Sequence, residues 1–356
     1  MITRRTLIRQ AGASLIAAPL ASPFVIRPAL AASEAVAMAS WGGAGAKMWR
    51  EHFLEPWSKA TGIQSVLAEV PDPSAAVVAA NGRPQYNVAI AASYQAAKLA
   101  SLGLIEELTP DDIPNIRNID EKYWVKSESG ALLGMPSSFI YYGIAYNTKM
   151  AKAADFASWK GLADPALKGK ISITRPVFLA PYDMTLYSHI SGGTEADITP
   201  GLPLFKSVAA NALTQYTSMA SLQQQLSLGE VVAAPFYSGQ IQMLRKGGET
   251  EVDIVLPEEG GLVLSYLLTV PKGAPSRDAA IRFINDCISP EKQIAAARSG
   301  YLPLTKEPNL PDDVKADLSL QMEEVRARNY APNWVVVTKH LDDRIRQAEQ
   351  ILQEVQ

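Results

Sequence analysis

From residue 35 onward the apolar positions fall into short runs separated by glycine-rich turns and longer amphipathic stretches. Val36, Met38 and Ser40 lead into Trp41-Gly42-Gly43-Ala44-Gly45, after which Trp49, Phe53 and Trp57 recur every four residues until Gly62. That spacing predicts a strand, a tight turn and a helix with one buried aromatic face, closed by glycine. Further strands are expected at residues 66–70 and 88–91, the latter running through Ser93-Tyr94 into an alanine-rich helix that Gly103 ends. The same grammar recurs in the middle of the chain: strands at 170–174, 209–214 and 231–234, with helices after Pro181 and around 222–226. Alternation of this kind predicts mainly parallel sheets flanked by helices. Two such α/β units, each over a hundred residues long, favour a two-lobe protein over one large sheet. Residues 139–146 and 262–270 are apolar, aromatic and branched, and are candidates for strands that cross between lobes. Two crossings would let the lobes hinge around a ligand. Ile345, Ala348, Leu352 and Val355 mark one face of a final helix that docks on a lobe.

The amino-terminal residues follow a different pattern. Thr3-Arg4-Arg5-Thr6-Leu7-Ile8 precedes an alanine-rich apolar run, and Pro28-Ala29-Leu30-Ala31 offers small residues where a signal peptidase cuts. Residues 1–31 are therefore expected to be a cleavable signal peptide, the arginine pair favouring twin-arginine export. The run from 11 to 26 is interrupted by Pro19, Ser22 and Pro23, and falls short of the roughly 20 apolar residues that span a bilayer. The single cysteine, Cys287, lies far from the cut, so neither an amino-terminal lipid nor an internal disulfide is expected. It reads as a small buried hydrophobe. An exported chain with no anchor is retained only where an outer membrane encloses it, which points to a Gram-negative periplasm.

The signal carries Arg4, Arg5, Arg9 and Arg27 and no acid, so its removal takes the formal net charge from -3 to about -7. That balance argues against nucleic acid or an anionic membrane as partner. About 325 of the 356 residues remain, beyond the size at which single cores stop growing. The expected division is 32–142 with 268–317 as one lobe, and 143–267 with 318–356 as the other, in a monomer.

Several short motifs appear in a fixed order. Ser40-Trp41-Gly42-Gly43 follows the first strand, and residues 53–62 read F-x-E-P-W-x-K-x-T-G. Then come Gly143-Ile144-Ala145-Tyr146-Asn147, Trp159-Lys160-Gly161-Leu162, Asp164-Pro165 and Lys168-Gly169-Lys170-Ile171. Gly229-Glu230-Val231, Val270-Pro271-Lys272-Gly273-Ala274, Ser289-Pro290-Glu291 and Gly300-Tyr301 complete the series. In this order and spacing the mature chain resembles the periplasmic solute-binding proteins of the spermidine/putrescine type. The resemblance implies a type II two-lobe α/β fold with joining strands and a small molecule bound in the cleft. It also implies an ABC permease in the inner membrane as partner.

In open parallel sheets, ligands bind beyond the carboxyl ends of strands, where helix starts present backbone donors. The candidate contacts are therefore Ser40, Trp41, Gly42 and Gly43; Ser93 and Tyr94; Arg175; and Tyr237 with Ser238. The resemblance places Trp41, Tyr94 and Tyr301 at aromatic or strand-end contact positions, and Tyr237 where the family has a tryptophan. The family's carboxylates are missing. Arg175-Pro176 and Leu179 stand at the strand end that holds acids, and Leu264 and Tyr266 stand where a tryptophan and an aspartate are expected. A polyamine needs those charges in a desolvated cleft, whereas a guanidinium suits a carboxylate or phosphonate. The expected ligand is a small organic anion or carboxylate-bearing compound, with a polyamine as the alternative. For Arg175 a structural salt bridge is the competing role.

Tyr141-Tyr142 invites comparison with paired phenolates of ferric-iron receptors; core packing is the better account, with Tyr142 facing the cleft. Met48 occupies the last glycine position a dinucleotide loop would need. His52, His189 and His340 form no zinc-binding pair, and there is no nucleophile elbow. No cofactor, metal or catalysis is expected. A chemosensory binding protein shares the same fold and differs in its docking partner.

Overall fold

The computed structural model describes residues 35–42, 44–305, 310–317 and 322–355. The expected signal, its cut at Ala31 and candidate Gly43 lie outside them. The first strand, β1 (Ala35–Ser40), is flanked by β2 (Gln64–Glu69) and β3 (Val88–Ala92), both parallel to it, with Ala35 opposite Gln64 and Met38 opposite Val88. The helical segment between β1 and β2 buries Trp49, Phe53 and Trp57 as their spacing predicts. Its middle turn, Trp49–Leu54, is a π-helix in which the Glu55 N–H donates to Arg50 O, five residues back. Pro56 follows at the start of Glu55–Thr61 and has no N–H to continue the regular ladder. Gly62 ends that helix at φ 74°, a backbone angle open to glycine.

The strand that organises the rest is β4, Met135–Asn147, whose thirteen residues are all buried. β5 (Ile171–Ile173), β6 (Ala212–Gln215), β7 (Ala233–Tyr237), β8 (Val252–Val255) and β9 (Val263–Thr269) follow. The spatial order is β2-β1-β3-β9-β4-β7-β5-β6, with β8 beside β4. Residues Met135 to Tyr141 of β4 pair antiparallel with β9, and Tyr142 to Tyr146 pair antiparallel with β7, Tyr142 lying opposite Tyr237. One continuous strand therefore serves both parts of the sheet. The expected crossing at 139–146 lies within it. The second expected crossing differs: β9 pairs only with β3 and the first part of β4, and the chain passes over just before it, where the Tyr142 N–H donates to Leu262 O.

Among the nine strands described, parallel pairing is confined to β1–β3 and to β5 with β6 and β7. The strands running through the middle, β4 and β9, are antiparallel to their neighbours, so the sheet is mixed. The expected strand at 209–214 begins only at Ala212, because the helix Leu202–Asn211 extends through Ala209 to bury Phe205, Val208 and Ala209 on one side. Cys287 is fully buried at the end of helix Arg277–Asp286. The final helix, Leu341–Val355, buries Ala348 and Leu352 as its apolar face predicts, together with Arg344. Among the described residues no helix is long and apolar enough to cross a membrane, and no group of three or more His, Cys, Asp or Glu could hold a metal ion.

Candidate functional site, an aromatic cavity at the strand ends

Two strand-to-helix junctions face each other across β9 and β4. β3 ends at Ala92 and Ser93 opens the helix Ser93–Ser101, while β7 ends at Tyr237 and Ser238 opens the helix Ser238–Lys246. Between them lies a narrow cavity of about 20 Å³, room for a water or two at ~10–15 Å³ each. Tyr94, Tyr182, Tyr237, Tyr266 and Trp334 form its aromatic walls, and Ala92, Ser93, Leu264 and Ser265 complete the lining.

Of the residues expected from the sequence, Ser93, Tyr94, Tyr237 and Tyr266 reach this cavity. Trp41 and Tyr301 adjoin it through Tyr266, on which they pack edge-on with ring centres 5.7 and 5.8 Å away. Tyr142 stands behind the wall, fully buried, with its ring centre 5.3 Å from Tyr237 and 5.7 Å from Tyr182. Consecutive strand residues point to opposite faces, so Tyr141 and Tyr142 do not converge as a phenolate pair. Ser238 is buried and its hydroxyl accepts the Tyr141 N–H at 3.0 Å. Ser40 is likewise buried, its carbonyl accepting the Val70 N–H. Gly42 is exposed beside Glu69, whose Oε2 would lie 2.9 Å from an added Cβ. Arg175 is exposed, with its guanidinium 5.5 Å from the centre of the Phe178 ring. It does not line the cavity, where it was expected as a ligand contact, and it has no ion-pair partner among the described residues for the competing role of a structural salt bridge.

Three residues central to the site carried no sequence expectation. Tyr182, directly before the helix Asp183–Ile190, is the hub of the cage: its ring centre lies 5.6 Å from Tyr94, 6.1 Å from Tyr237 and 6.0 Å from Trp334, each edge to face. The signal available was Pro181-Tyr182-Asp183, an aromatic at a helix start shortly after β5. Trp334 arrives from the carboxyl-terminal segment, which a parallel bridge between Leu262 and Tyr330 lays beside β9. Asp183, 1% exposed, accepts the Tyr142 hydroxyl at 3.1 Å. Burial pushes its carboxyl up to about 7, against the opposing pull of that hydrogen bond.

The electrostatics follow from this lining. Burial raises the hydroxyls of Tyr142, Tyr182 and Tyr237 well above the usual phenol range, so they are neutral donors at physiological pH. Among the described residues no Asp, Glu, Lys or Arg lines the cavity. The fixed polarity there comes from the amino-terminal ends of the two helices, which favour negative charge. The Ser93 hydroxyl donates to Ser265 O at 3.1 Å, tying the first helix start to β9.

A family model described as bacterial extracellular solute-binding protein matches residues 55–321. The chain is similar to the spermidine/putrescine-binding periplasmic protein of Escherichia coli, 25% identical, with 69% of this chain and 73% of that protein covered. It is also similar to a putative 2-aminoethylphosphonate-binding periplasmic protein of Salmonella typhimurium, 23% identical, with 82% and 83% covered. Among solved structures, an ABC transporter protein from Clostridium perfringens superposes with a TM-score of 0.74 at 22% identity, covering 89% of this chain and 99% of that one. This likeness shows the fold, the two-lobe α/β fold of solute-binding proteins.

Proposed function

The chain belongs to the bacterial extracellular solute-binding proteins, and from that premise we propose that it is the periplasmic receptor of an ABC importer for a small carboxylate-bearing solute with an apolar or aromatic body. Proteins of this kind bind a small molecule and deliver it to a membrane permease; the solute leaves unchanged. In this reading residues 1–31 direct export and are removed, and the mature protein acts as a monomer. Residues 32–142 with 268–317 and residues 143–267 with 318–356 are the two lobes, hinging about β4.

The observation that carries the ligand class is the cavity lining: five aromatic side chains and two helix starts, with no carboxylate among them. Ring faces suit an apolar body, and helix starts and neutral hydroxyls suit an anionic end. Arg175, exposed at the end of β5 without an ion-pair partner among the described residues, is available as a further anchor for that end. The narrowness of the cavity supports hinge opening on entry. Ser93, Tyr94, Tyr237 and Tyr266 are the proposed direct contacts, with Trp41, Tyr301 and Tyr142 supporting them. A cationic ligand is the second reading, favoured by the Asp183 carboxyl behind the cage and by the polyamine-binding relatives.

A thermal-shift panel of benzoate, succinate, 4-aminobutyrate, 2-aminoethylphosphonate, putrescine and spermidine tests this, since specific binding raises the unfolding midpoint by mass action. A rise with one or more anion-bearing compounds is expected. A rise with putrescine or spermidine and none with the anion-bearing compounds would overturn the ligand class.

A further inference from the structure

The Trp334 wall of the cavity is held from outside the cavity. Trp334 is the first residue of the helix Trp334–Lys339, and the preceding Asn333 caps that helix by accepting the Val336 N–H at 3.3 Å. The Asn333 N–H donates in turn to Glu195 Oε1 at 2.8 Å. Glu195 follows the helix Asp183–Ile190, so the loop that grips Trp334's turn is continuous with the helix whose start carries Tyr182, the opposing wall.

The grip extends along the tail. Tyr330 stacks on His189 with ring centres 3.7 Å apart and 4° between planes. Arg344, 2% exposed, donates to Thr185 Oγ1 at 2.9 Å and to the Glu195 carbonyl. Burial works against the Glu195 charge, yet hydrogen bonds from the Tyr330 hydroxyl and the Asn333 N–H outweigh it and hold the carboxyl below its usual range. On the other side, the Val263 N–H donates to Tyr330 O at 2.8 Å, and the Thr338 hydroxyl donates to the carbonyl of Tyr94 at 3.2 Å. The turn bearing Trp334 is thus suspended between Glu195 and the residues around β9 and Tyr94. Tyr237 and Tyr266 have neighbouring strands to hold them; the indole at 334 has this polar clamp.

We infer that Glu195 is a positioning residue for Trp334, and that Trp334 sets the size limit of the solute the site accepts. The indole is 4% exposed and edge-on to Tyr182, so it closes one end of the cage. A solute extending past Tyr182 meets it. The charged clamp acts on the backbone one residue before the indole, where a small displacement carries the whole ring. This inference rests on the cavity being the solute site.

The test uses the full chain labelled with 5-fluorotryptophan, with the Trp334 fluorine resonance assigned through Trp334→Phe. Glu195→Ala should move or broaden that resonance while Trp49 and Trp57, in the core under β1 and β2, stay in place. Glu195→Gln, which keeps an acceptor, should restore most of the wild-type position. A Trp334 resonance unchanged in both variants overturns the positioning role, whether or not any compound binds. For size selection, Trp334→Ala should weaken benzoate binding about tenfold or more and shift the 2-naphthoate to benzoate affinity ratio about tenfold toward the larger acid. An unchanged ratio overturns that part. Should wild type bind neither acid but bind putrescine, the carboxylate reading falls alone, and the spermidine to putrescine ratio in Trp334→Ala decides size selection by the same criterion.

Discussion

The Tyr142 hydroxyl donates to the carboxyl of Asp183 at 3.1 Å in a region where both side chains are closed off from water. The Tyr187 hydroxyl lies toward the same carboxyl without completing a hydrogen bond. The hydroxyls of Tyr142 and Tyr187 and the backbone at Asp183 oppose the effect of burial on this carboxyl without overcoming it. A carboxylate so placed loses hydration that hydroxyl donors only partly replace. The backbone of the proposed binding site therefore rests on an acid that favours its proton.

The sign of the resulting pH dependence follows. Unfolded, Asp183 loses its proton near pH ~3.9; folded, it does so at about 7. Between these values the native state holds a proton that the unfolded chain has released, so stability falls as pH rises through that window and levels off above it. Asp183→Asn keeps an acceptor for Tyr142 and removes the titration. Thermal melts from pH 4 to 8 should show the variant gaining on wild type as pH rises, by on the order of 5 °C at pH 8. Parallel curves would assign the wild-type pH dependence to other groups.

Arg175→Ala separates binding from folding. The side chain is exposed and has no ion-pair partner among the described residues, so the unfolding free energy should change by less than about 0.5 kcal/mol. Titration with whichever anion-bearing panel compound raises the midpoint should show weaker affinity. A large drop in stability at unchanged affinity would make Arg175 structural.

Two glycines with positive φ should respond differently to alanine. Gly62, at φ 74° with open space around it, should cost only the backbone strain, about 1–2 kcal/mol. Gly260, at φ 84°, would place a Cβ 1.7 Å from Arg328 O, an overlap that backbone atoms relieve only by moving apart. Denaturant unfolding should therefore find Gly260→Ala at least about 3 kcal/mol less stable than wild type. The carboxyl-terminal segment that carries Trp334 packs next to that carbonyl, so affinity should fall as well.

Tyr266 joins the cavity to Trp41 and Tyr301 through edge contacts at 5.7 and 5.8 Å. Tyr266→Phe preserves both and should retain stability, whereas Tyr266→Ala should lose about 3 kcal/mol along with ligand affinity. Calorimetric titration of both variants checks this, and equal affinity for the two would remove Tyr266 from the binding surface.

The local pattern of the chain carried much of this. Strand-to-helix junctions are short-range features, written in a few apolar residues, a small polar residue and the helix start that follows. Ser93, Tyr94 and Tyr237 were legible as cavity residues for that reason, as was the buried face of Trp49, Phe53 and Trp57. The end of the helix Leu202–Asn211 was harder, because alanine and valine suit a helix and a strand alike, and the packing of Val208 and Ala209 decided between them.

What the sequence determined by itself was the family, the α/β alternation and the strand ends where a ligand could sit, all of which depend on residues near one another in the chain. Tertiary structure decided which side chains meet. The Leu262–Tyr330 bridge brings Trp334 to the cavity from the far end of the chain, Tyr182 becomes the hub because three distant rings converge on it, and Asp183 becomes an acid with a raised proton affinity only once it is buried. The direction in which Arg175 points is likewise a matter of packing around the end of β5. Such outcomes depend on contacts between segments far apart in the chain, from 41 residues for Tyr142 with Asp183 to 244 for Tyr94 with Thr338, and no local period encodes them.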